Sequence, residues 1–273
     1  MRSILITLAL VSCAVAQEGT THAVKGSVLD AVGLPGLMWS TTGSTSPYEK
    51  GNVQSQTYFE QGAAIFSTWN NSVTLTPYAS VGMAFDTKGF AWNNKIQPSI
   101  GFKVNKYIRS GVISAGMAYT YEERFRNAEG FKAASGAKDF VQDWFGWDAV
   151  SEKKGRFPGE TWAIAGHFSP VERGNLIEEA NLTQGVIAKQ FRKSALIPYG
   201  EVTLGHDSKG FDWENKVIVG GGAKLGIPVG DLYTEIGAGY LRETRFNSGL
   251  SANGVKVFMN FSYVWNLFGR QVR

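Results

Sequence analysis

Hydrophobic and polar residues alternate with a period of two over most of the chain. The segment 255–267 shows the pattern clearly, with one apolar face made of Val257, Met259, Phe261, Tyr263 and Trp265. Such segments, each of about ten residues and separated by short polar turns, are typical of transmembrane barrels. We therefore predict an all-β fold, an antiparallel transmembrane β-barrel of about twelve strands.

The same residues recur in the two halves of the chain. Pro35-Gly36-x-x-Trp39 returns as Pro158-Gly159-x-x-Trp162, and the run from Asp86 to Lys95 returns at 207–216. A repeat of this kind indicates one structural unit that is used twice. We predict a tandem duplication of a six-stranded unit within a single barrel at 37–273, with unit one at 37–150 and unit two at 158–268.

Each unit is predicted to supply six strands. They fall at 37–44, 52–67, 73–86, 92–105, 110–125 and 137–148 in unit one, and at 160–168, 175–191, 196–207, 213–226, 231–246 and 255–267 in unit two. An even number of strands places both chain ends on the periplasmic side. The outer loops are then 44–51, 86–91, 126–136, 168–174, 207–212 and 247–254, which we expect to be too short to fold deeply into the lumen.

The segment 137–150 allows a second interpretation. Its residues Phe140, Val141 and Trp144 also suit an amphipathic helix on a membrane surface. Alignment with the last strand of unit two favours a strand, in which Asp139 and Asp143 would face lipid.

The first residues are typical of an export signal. Arg2 is followed by an apolar stretch and by Ala14-Val15-Ala16, a small-x-small cleavage site, so we predict a signal peptide at 1–16 and a polar periplasmic leader at 17–36. Cys13 is the only cysteine, and its surroundings also resemble a lipoprotein signal. Both alternatives export the chain, and a barrel then predicts the bacterial outer membrane, with its lipid and lipopolysaccharide as partners.

Composition narrows the function classes. The 273 residues include 33 glycines and only 8 prolines, and the formal net charge is +4, too mild and dispersed to predict binding of nucleic acid. The three histidines are isolated, and no cluster has metal-ligand spacing. We expect neither a metal nor a cofactor.

Charged residues on the polar face of the strands are candidates for the lumen, because a charge at the lipid midplane costs about 2–4 kcal/mol. Several recur in both units, and the set is Lys103, Lys224, Glu122, Glu243, Arg124, Arg245, Glu201 and Glu235. One hypothesis is a small passive channel for hydrophilic solutes. The alternative is an interior that salt bridges fill and close.

The element Asp-Thr/Ser-Lys-Gly-Phe-x-Trp-x-Asn-Lys occurs at an outer loop of each unit. Its candidate loop residues are Asp86, Lys88, Trp92, Asp207, Lys209 and Trp213. Turn chemistry explains the pattern: Asp caps the turn, Gly takes a positive φ, and Trp anchors at the membrane interface.

The second copy reads His206-Asp207-Ser208-Lys209-Gly210. This resembles the His-x-Ser-x-Gly segment of outer-membrane phospholipase A, a twelve-stranded barrel. The resemblance implies a hydrolase with Ser208 as nucleophile, His206 as its base and Asn215 as the residue that orients the histidine.

A wider resemblance covers most of the mature chain. Trp-x-x-x-Gly, Pro-Tyr, Asp followed by Trp-x-Asn-Lys, and Glu-x-Arg-Phe resemble the C-terminal barrels of phage-adsorption receptors and of exopolysaccharide-export outer-membrane proteins. The resemblance implies a surface-exposed structural or receptor barrel, encoded by a bacterium or by a phage. Three hypotheses therefore remain: channel, surface barrel and hydrolase.

Overall fold

The computed structural model describes residues 33–44, 46–68, 72–108, 110–126, 132–148 and 155–267. The predicted signal peptide at 1–16 lies outside these residues. The strands are β1 (Leu34–Ser44), β2 (Gln54–Gly62), β3 (Phe66–Thr68), β4 (Val73–Asp86), β5 (Lys95–Ile108), β6 (Gly111–Arg124), β7 (Lys132–Trp147), β8 (Gly159–His167), β9 (Ile177–Gly185), β10 (Lys189–Phe191), β11 (Ser194–Asp207), β12 (Lys216–Val229), β13 (Leu232–Arg245) and β14 (Ser251–Leu267).

These strands form one closed antiparallel sheet. β3 continues β2 along β4, and β10 continues β9 along β11, so the segments occupy twelve places in a ring. β1 pairs with β14, and β9 pairs with β11, which closes the ring. The predicted twelve-stranded all-β barrel is confirmed. Within the described ranges, no helix is both long and apolar enough to cross a bilayer.

The register assigns each residue to one face of the wall, because residues paired across a ladder point to the same side. The Lys256–Glu201 ion pair joins β14 to β11 and can form only on the concave side, so it identifies the lumen. Inside, Glu122 and Glu243 are 0 % exposed. Outside, Ile100 is 67 % exposed and Val255 is 65 % exposed. Polar residues inside and apolar residues outside are the arrangement of a barrel that lies in lipid.

The two ends of the barrel differ. The connections that follow β1, β4, β6, β8, β11 and β13 meet at one end, which we call the loop end. The opposite turn end carries the short turns, among them Arg192-Lys193 and Gly230-Asp231, together with both ends of the described chain. The described residues of all six predicted outer loops lie at or beside the loop end.

Most observed strands lie within three residues of the predicted ones, but the predicted strands 52–67 and 175–191 are each split in two, and β1 begins at Leu34, inside the predicted leader 17–36. The largest differences are at two hairpins. β7 begins at Lys132 and β14 at Ser251, so parts of the predicted loops 126–136 and 247–254 are strand. The reason is continued pairing with the preceding strand, up to Arg124↔Lys132 and Thr244↔Ser251. Small and polar residues in these segments resemble loop sequence, so the alternation ended too early in our prediction.

The helical alternative for 137–150 is wrong, because the strand β7 covers most of it. Asp139 and Asp143 do lie on the outer face, and each binds the adjacent strand. Asp139 accepts hydrogen bonds from the backbone N–H and from Nδ1 of His167, at 3.1 and 2.7 Å. Asp143 accepts one from the backbone N–H of Ala163 at 3.0 Å. Hydrogen bonding of the charged oxygens lowers the cost of this exposure to lipid.

Candidate functional site at the loop end and in the interior

The repeated Asp-x-Lys-Gly element folds each of two loops, 87–94 and 208–215, which we call the bridge loops. Asp86 accepts hydrogen bonds from the backbone N–H groups of Gly89 and Phe90 and from the side chain of Asn94. Asp207 is held in the same way by Phe211 and Asn215. Gly89 and Gly210 both have φ of +76°, a conformation that a side chain disfavours. The turn therefore has the caps and glycines that its sequence predicts.

Four aromatic rings cross the barrel mouth between these loops, a feature we call the aromatic bridge. Phe90 stacks on Trp92 with ring centroids 4.8 Å apart, and Phe211 stacks on Trp213 at the same distance. The two tryptophans stack on each other at 5.2 Å with an interplanar angle of 10°. Because the bridge loops lie between β4 and β5 and between β11 and β12, on opposite sides of the ring, the aromatic bridge spans its width.

The expectation that Trp92 and Trp213 anchor at the membrane interface is therefore wrong. Both indoles point over the lumen toward each other instead of outward toward lipid. Lys88 and Lys209 of the same loops are exposed to solvent. Hydrogen bonds from Asn247 and Ser248 to the second bridge loop help to hold Trp213 in place.

A repeated Ser-Pro motif seals each junction between the two halves. Ser46 donates a hydrogen bond to Glu243 at 2.7 Å, and Ser169 donates one to Glu122 at 2.5 Å. Beside them, Pro47 lies against the backbone of Gly254 in β14, and Pro170 lies in the same way against Gly136 in β7. Because these glycines have no side chain, the prolines can pack against the strand backbone. A loop from the other half therefore covers the first residues of β7 and of β14.

Below the aromatic bridge, each half contributes a matching aromatic pair to the interior. Tyr78 meets Phe140 edge to face at 6.5 Å, and Tyr199 meets Phe258 at 6.0 Å. Phe140 covers Gly116, and Phe258 covers Gly237, where a Cβ atom would lie 2.7 and 2.6 Å from the ring. All four rings are at most 8 % exposed, so they fill space in the lumen.

The eight charged residues that the sequence singled out all lie on the inner face. Each of the eight takes part in an ion pair, as follows: Lys103–Glu60 at 2.6 Å, Lys224–Glu235 at 2.7 Å, Lys256–Glu201 at 2.8 Å, Arg124–Glu122 at 2.6 Å and Arg245–Glu243 at 3.0 Å. Sequence reasoning missed Glu60 and Lys256. The repeat contained a signal for Lys256, since it aligns with Lys138 in Gly-x-Lys-x-Phe.

The three candidate catalytic residues do not form a triad. His206 faces outward, with Nδ1 at 3.3 Å from Glu178. Ser208 accepts a hydrogen bond from the backbone N–H of Leu176, and Asn215 donates to Asp207 at 2.5 Å. Over the residues that the structure describes, no hydrogen bond joins His206 to Ser208 or to Asn215. The same residues also contain no group of three or more His, Cys, Asp or Glu side chains arranged to hold a metal.

A hydrolysis assay tests this geometry. We expect the refolded barrel to release no fatty acid from phospholipid–detergent micelles above a protein-free blank, and Ser208→Ala to behave identically. Thr87→Ala, at the aligned position of unit one, is the matched control. Hydrolysis that Ser208→Ala abolishes and Thr87→Ala retains would restore the hydrolase hypothesis.

No protein-family model matches the chain, and no curated protein is similar to it. The solved structures that it matches include outer-membrane β-barrels. An outer-membrane channel from Pseudomonas putida F1 has 9% sequence identity and a TM-score of 0.45, with 90% of this chain and 100% of that chain covered. The β domain of the Bordetella autotransporter BrkA has 12% identity, a TM-score of 0.41 and coverage of 86% and 99%. A bacterial polysaccharide outer-membrane secretin has 10% identity, a TM-score of 0.41 and coverage of 86% and 98%.

Proposed function

We propose that the chain is an integral outer-membrane barrel that is closed in its resting state and presents its loop end at the cell surface, as a receptor or structural surface barrel does. The observation that carries the proposal is the aromatic bridge above an interior that side chains fill. A barrel closed in this way offers its surroundings a rigid surface of short loops.

The outer wall supports a membrane location. Every strand place in the ring is paired on both sides, and only helices and closed barrels satisfy their backbone groups in lipid. Many exposed outer side chains are apolar or aromatic, among them Phe102, Met117, Tyr119, Val219 and Val257. Contact with outer-membrane lipid and lipopolysaccharide would cover this surface. The predicted signal peptide supplies the export route.

The interior supports a closed state. The side chains on the inner face that are 4 % exposed or less include Thr76, Tyr78, Thr120, Glu122 and Leu241. An open pore wide enough for solutes would leave such side chains accessible to water. Twelve strands enclose a width between that of a filled eight-stranded barrel and that of an open porin, so the side chains decide whether a passage exists.

A small channel is the second candidate, and the distribution of charge favours it. The inner face repeats four cations in both halves, at Lys95/Lys216, Lys103/Lys224, Arg124/Arg245 and Lys138/Lys256. Four acids of unit two do not repeat in unit one: Glu160, Glu179, Glu201 and Glu235 align with Leu37, Gln56, Ser80 and Ser114. One side of the lumen is thus more acidic, which would orient polar solutes if the aromatic bridge parted.

Single cysteines test the orientation, because the mature chain has no cysteine of its own if cleavage follows Ala16. We expect Lys209→Cys at the loop end to react in intact cells with a polymer-coupled maleimide that is too large to pass porins. Asp231→Cys at the turn end is also at an exposed position and is the matched control. It should react only after the outer membrane is permeabilised. Labelling of Asp231→Cys alone in intact cells would reverse the orientation and remove the surface role of the bridge loops.

A further inference from the structure

β7 rises above its neighbour β8 at the loop end. It pairs with β6 from its first residue, Lys132, whereas its pairing with β8 begins only at Asp139, opposite His167. Within the described ranges, no strand pairs with residues 132–138 on the side of β8. We call this side of the segment the open edge. It borders a vacant strand place directly above β8.

The backbone of the open edge directs hydrogen-bonding groups into the vacant place. The N–H of Gly146 donates to the carbonyl of Ser110 on the side of β6, and the ladder between β6 and β7 contains no bulge. Successive residues of an antiparallel strand direct their backbone groups alternately to its two neighbours. Ala133, Ser135 and Ala137 therefore point their N–H and C=O groups away from β6. All three residues are exposed, and their side chains are too small to keep another chain away.

The repeat has a corresponding edge in unit two. β14 pairs with β13 from Ser251 but with β1 only from Val257. Proteins usually block a free strand edge with a proline, a bulge or a very short strand, because another chain can add to it. The segments 132–138 and 251–256 contain no proline, and both ladders run without a bulge. Both edges are therefore open to an added strand.

A cavity of about 390 Å³ lies in the vacant place beside the open edge of β7. Ser135 and Ala137 line it from the edge, His167 lines it from the end of β8, and Pro170 and Arg173 line it from the loop that follows β8. A space between a strand edge and a loop suits a chain that runs along the edge.

Exposed positive charge surrounds this space. Lys132 at the upper end of the open edge and Arg173 beside the cavity are both exposed. Asp139 also lines the cavity, but its carboxylate accepts hydrogen bonds from the backbone N–H and from Nδ1 of His167. A chain that carries an acidic side chain therefore complements the charge beside the open edge.

We propose that the open edge of β7 binds an extended, acidic segment of another polypeptide, which adds to the sheet as a strand. The segment would run antiparallel to β7, as β8 does directly below, since antiparallel pairing is slightly more stable per residue than parallel pairing. Backbone hydrogen bonds to Ala133, Ser135 and Ala137 would hold it, and an acidic side chain that meets Arg173 would add selectivity.

As a partner for the surface role, this segment rests on the proposed function. The binding itself does not depend on which end of the barrel faces outward. It can therefore be measured on the refolded barrel, and reversed orientation in cells would leave it intact. Conversely, failure of the binding would leave the proposed orientation and the closed state untouched.

A library of random nonapeptides displayed on phage tests the open edge on the full refolded barrel in detergent. Ser135→Pro removes the central N–H of the edge and places a ring in the way, but it spares the ladder with β6, because that N–H points away from β6. The library is first depleted on Ser135→Pro and then selected on the wild type. We expect enriched peptides that bind the wild type about tenfold or more tightly than they bind Ser135→Pro.

Further variants and probes separate strand addition from contact with one side chain. Ser135→Val is the matched control, because it changes the side chain and keeps the N–H, and it should bind the peptides as the wild type does. Arg173→Met changes an exposed loop side chain and should weaken the binding severalfold. Heat-modifiable mobility on gels checks that each variant is folded.

Synthetic copies of an enriched peptide, N-methylated at every second residue, test the backbone hydrogen bonds directly. The copy whose methyl groups face the open edge should not bind, and the copy methylated at the alternate residues should bind like the parent peptide. The absence of any enriched peptide, equal behaviour of the two methylated copies, or full binding by Arg173→Met would overturn the proposal.

Discussion

Replacing Trp92 and Trp213 together by alanine should turn a barrel that is silent in a planar bilayer into one with discrete conductance steps. The two indoles form the central contact of the aromatic bridge, at 5.2 Å. Without them, Phe90 and Phe211 lose their stacking partners, and the ring contact that joins the bridge loops across the mouth is gone. The pore that opens should be narrow, because the ion pairs and the two aromatic pairs in the interior, below the aromatic bridge, remain in place.

Trp265→Ala is the matched control, since Trp265 lies on the outer face near the turn end. It removes an indole of the same size without touching the aromatic bridge, and the barrel should stay silent. A double variant that remains silent would mean that the interior side chains close the lumen by themselves, and the channel hypothesis would fall. A wild-type barrel that conducts would contradict the closed resting state.

Lys256→Met should destabilise the barrel by about 3–5 kcal/mol, whereas Lys138→Met should leave its stability unchanged or raise it. Removal of Lys256 leaves the buried carboxylate of Glu201 without the cation that pairs with it. Within the described ranges, removal of Lys138 leaves no carboxylate without its partner. It removes only the contacts of Lys138 with the rings of Phe140 and Phe168. Urea unfolding in lipid vesicles, followed by tryptophan fluorescence, measures both free energies of unfolding.

The pair of variants is its own control, because the two lysines are aligned and the substitution is the same. Equal losses of stability in both would mean that contacts with Phe140 and Phe168 hold Lys138 as firmly as a carboxylate holds Lys256. Cation–π contacts reach about 2 kcal/mol or more when they are desolvated.

Much of the barrel wall was predictable because the alternation of polar and apolar residues along a strand shows which of its faces is inside and which is outside. The alternation in 255–267 assigns Val257 and Met259 to one face, and the register places both outside. The apolar outer face and the charged inner face follow from the same period. Turn chemistry was equally local: Asp86, Gly89 and Asn94 lie within nine residues, and their hydrogen bonds need no distant partner.

The contacts that cross the lumen were not predictable. Trp92 and Trp213 are 121 residues apart, and alternation does not tell whether a loop leans inward or outward. A tryptophan near the end of a strand is equally compatible with a place at the membrane interface and with a place in the aromatic bridge. The ion pairs were unpredictable for another reason. Lys103 pairs with Glu60, whereas the aligned Lys224 pairs with Glu235. The two units thus have lysines at the same positions, but their partner carboxylates come from different positions.

The aromatic bridge also bears on the shape of the barrel. A ring of hydrogen-bonded strands fixes its own circumference but not its cross-section, since a circle can flatten to an ellipse at constant perimeter with every ladder intact. Lateral pressure from the surrounding bilayer can drive this flattening, because it breaks no hydrogen bond between strands. The four stacked rings form a strut across the mouth, between opposite sides of the ring. Flattening along that line would compress the stack, and flattening across it would pull the tryptophans apart, so the stack resists both changes of shape.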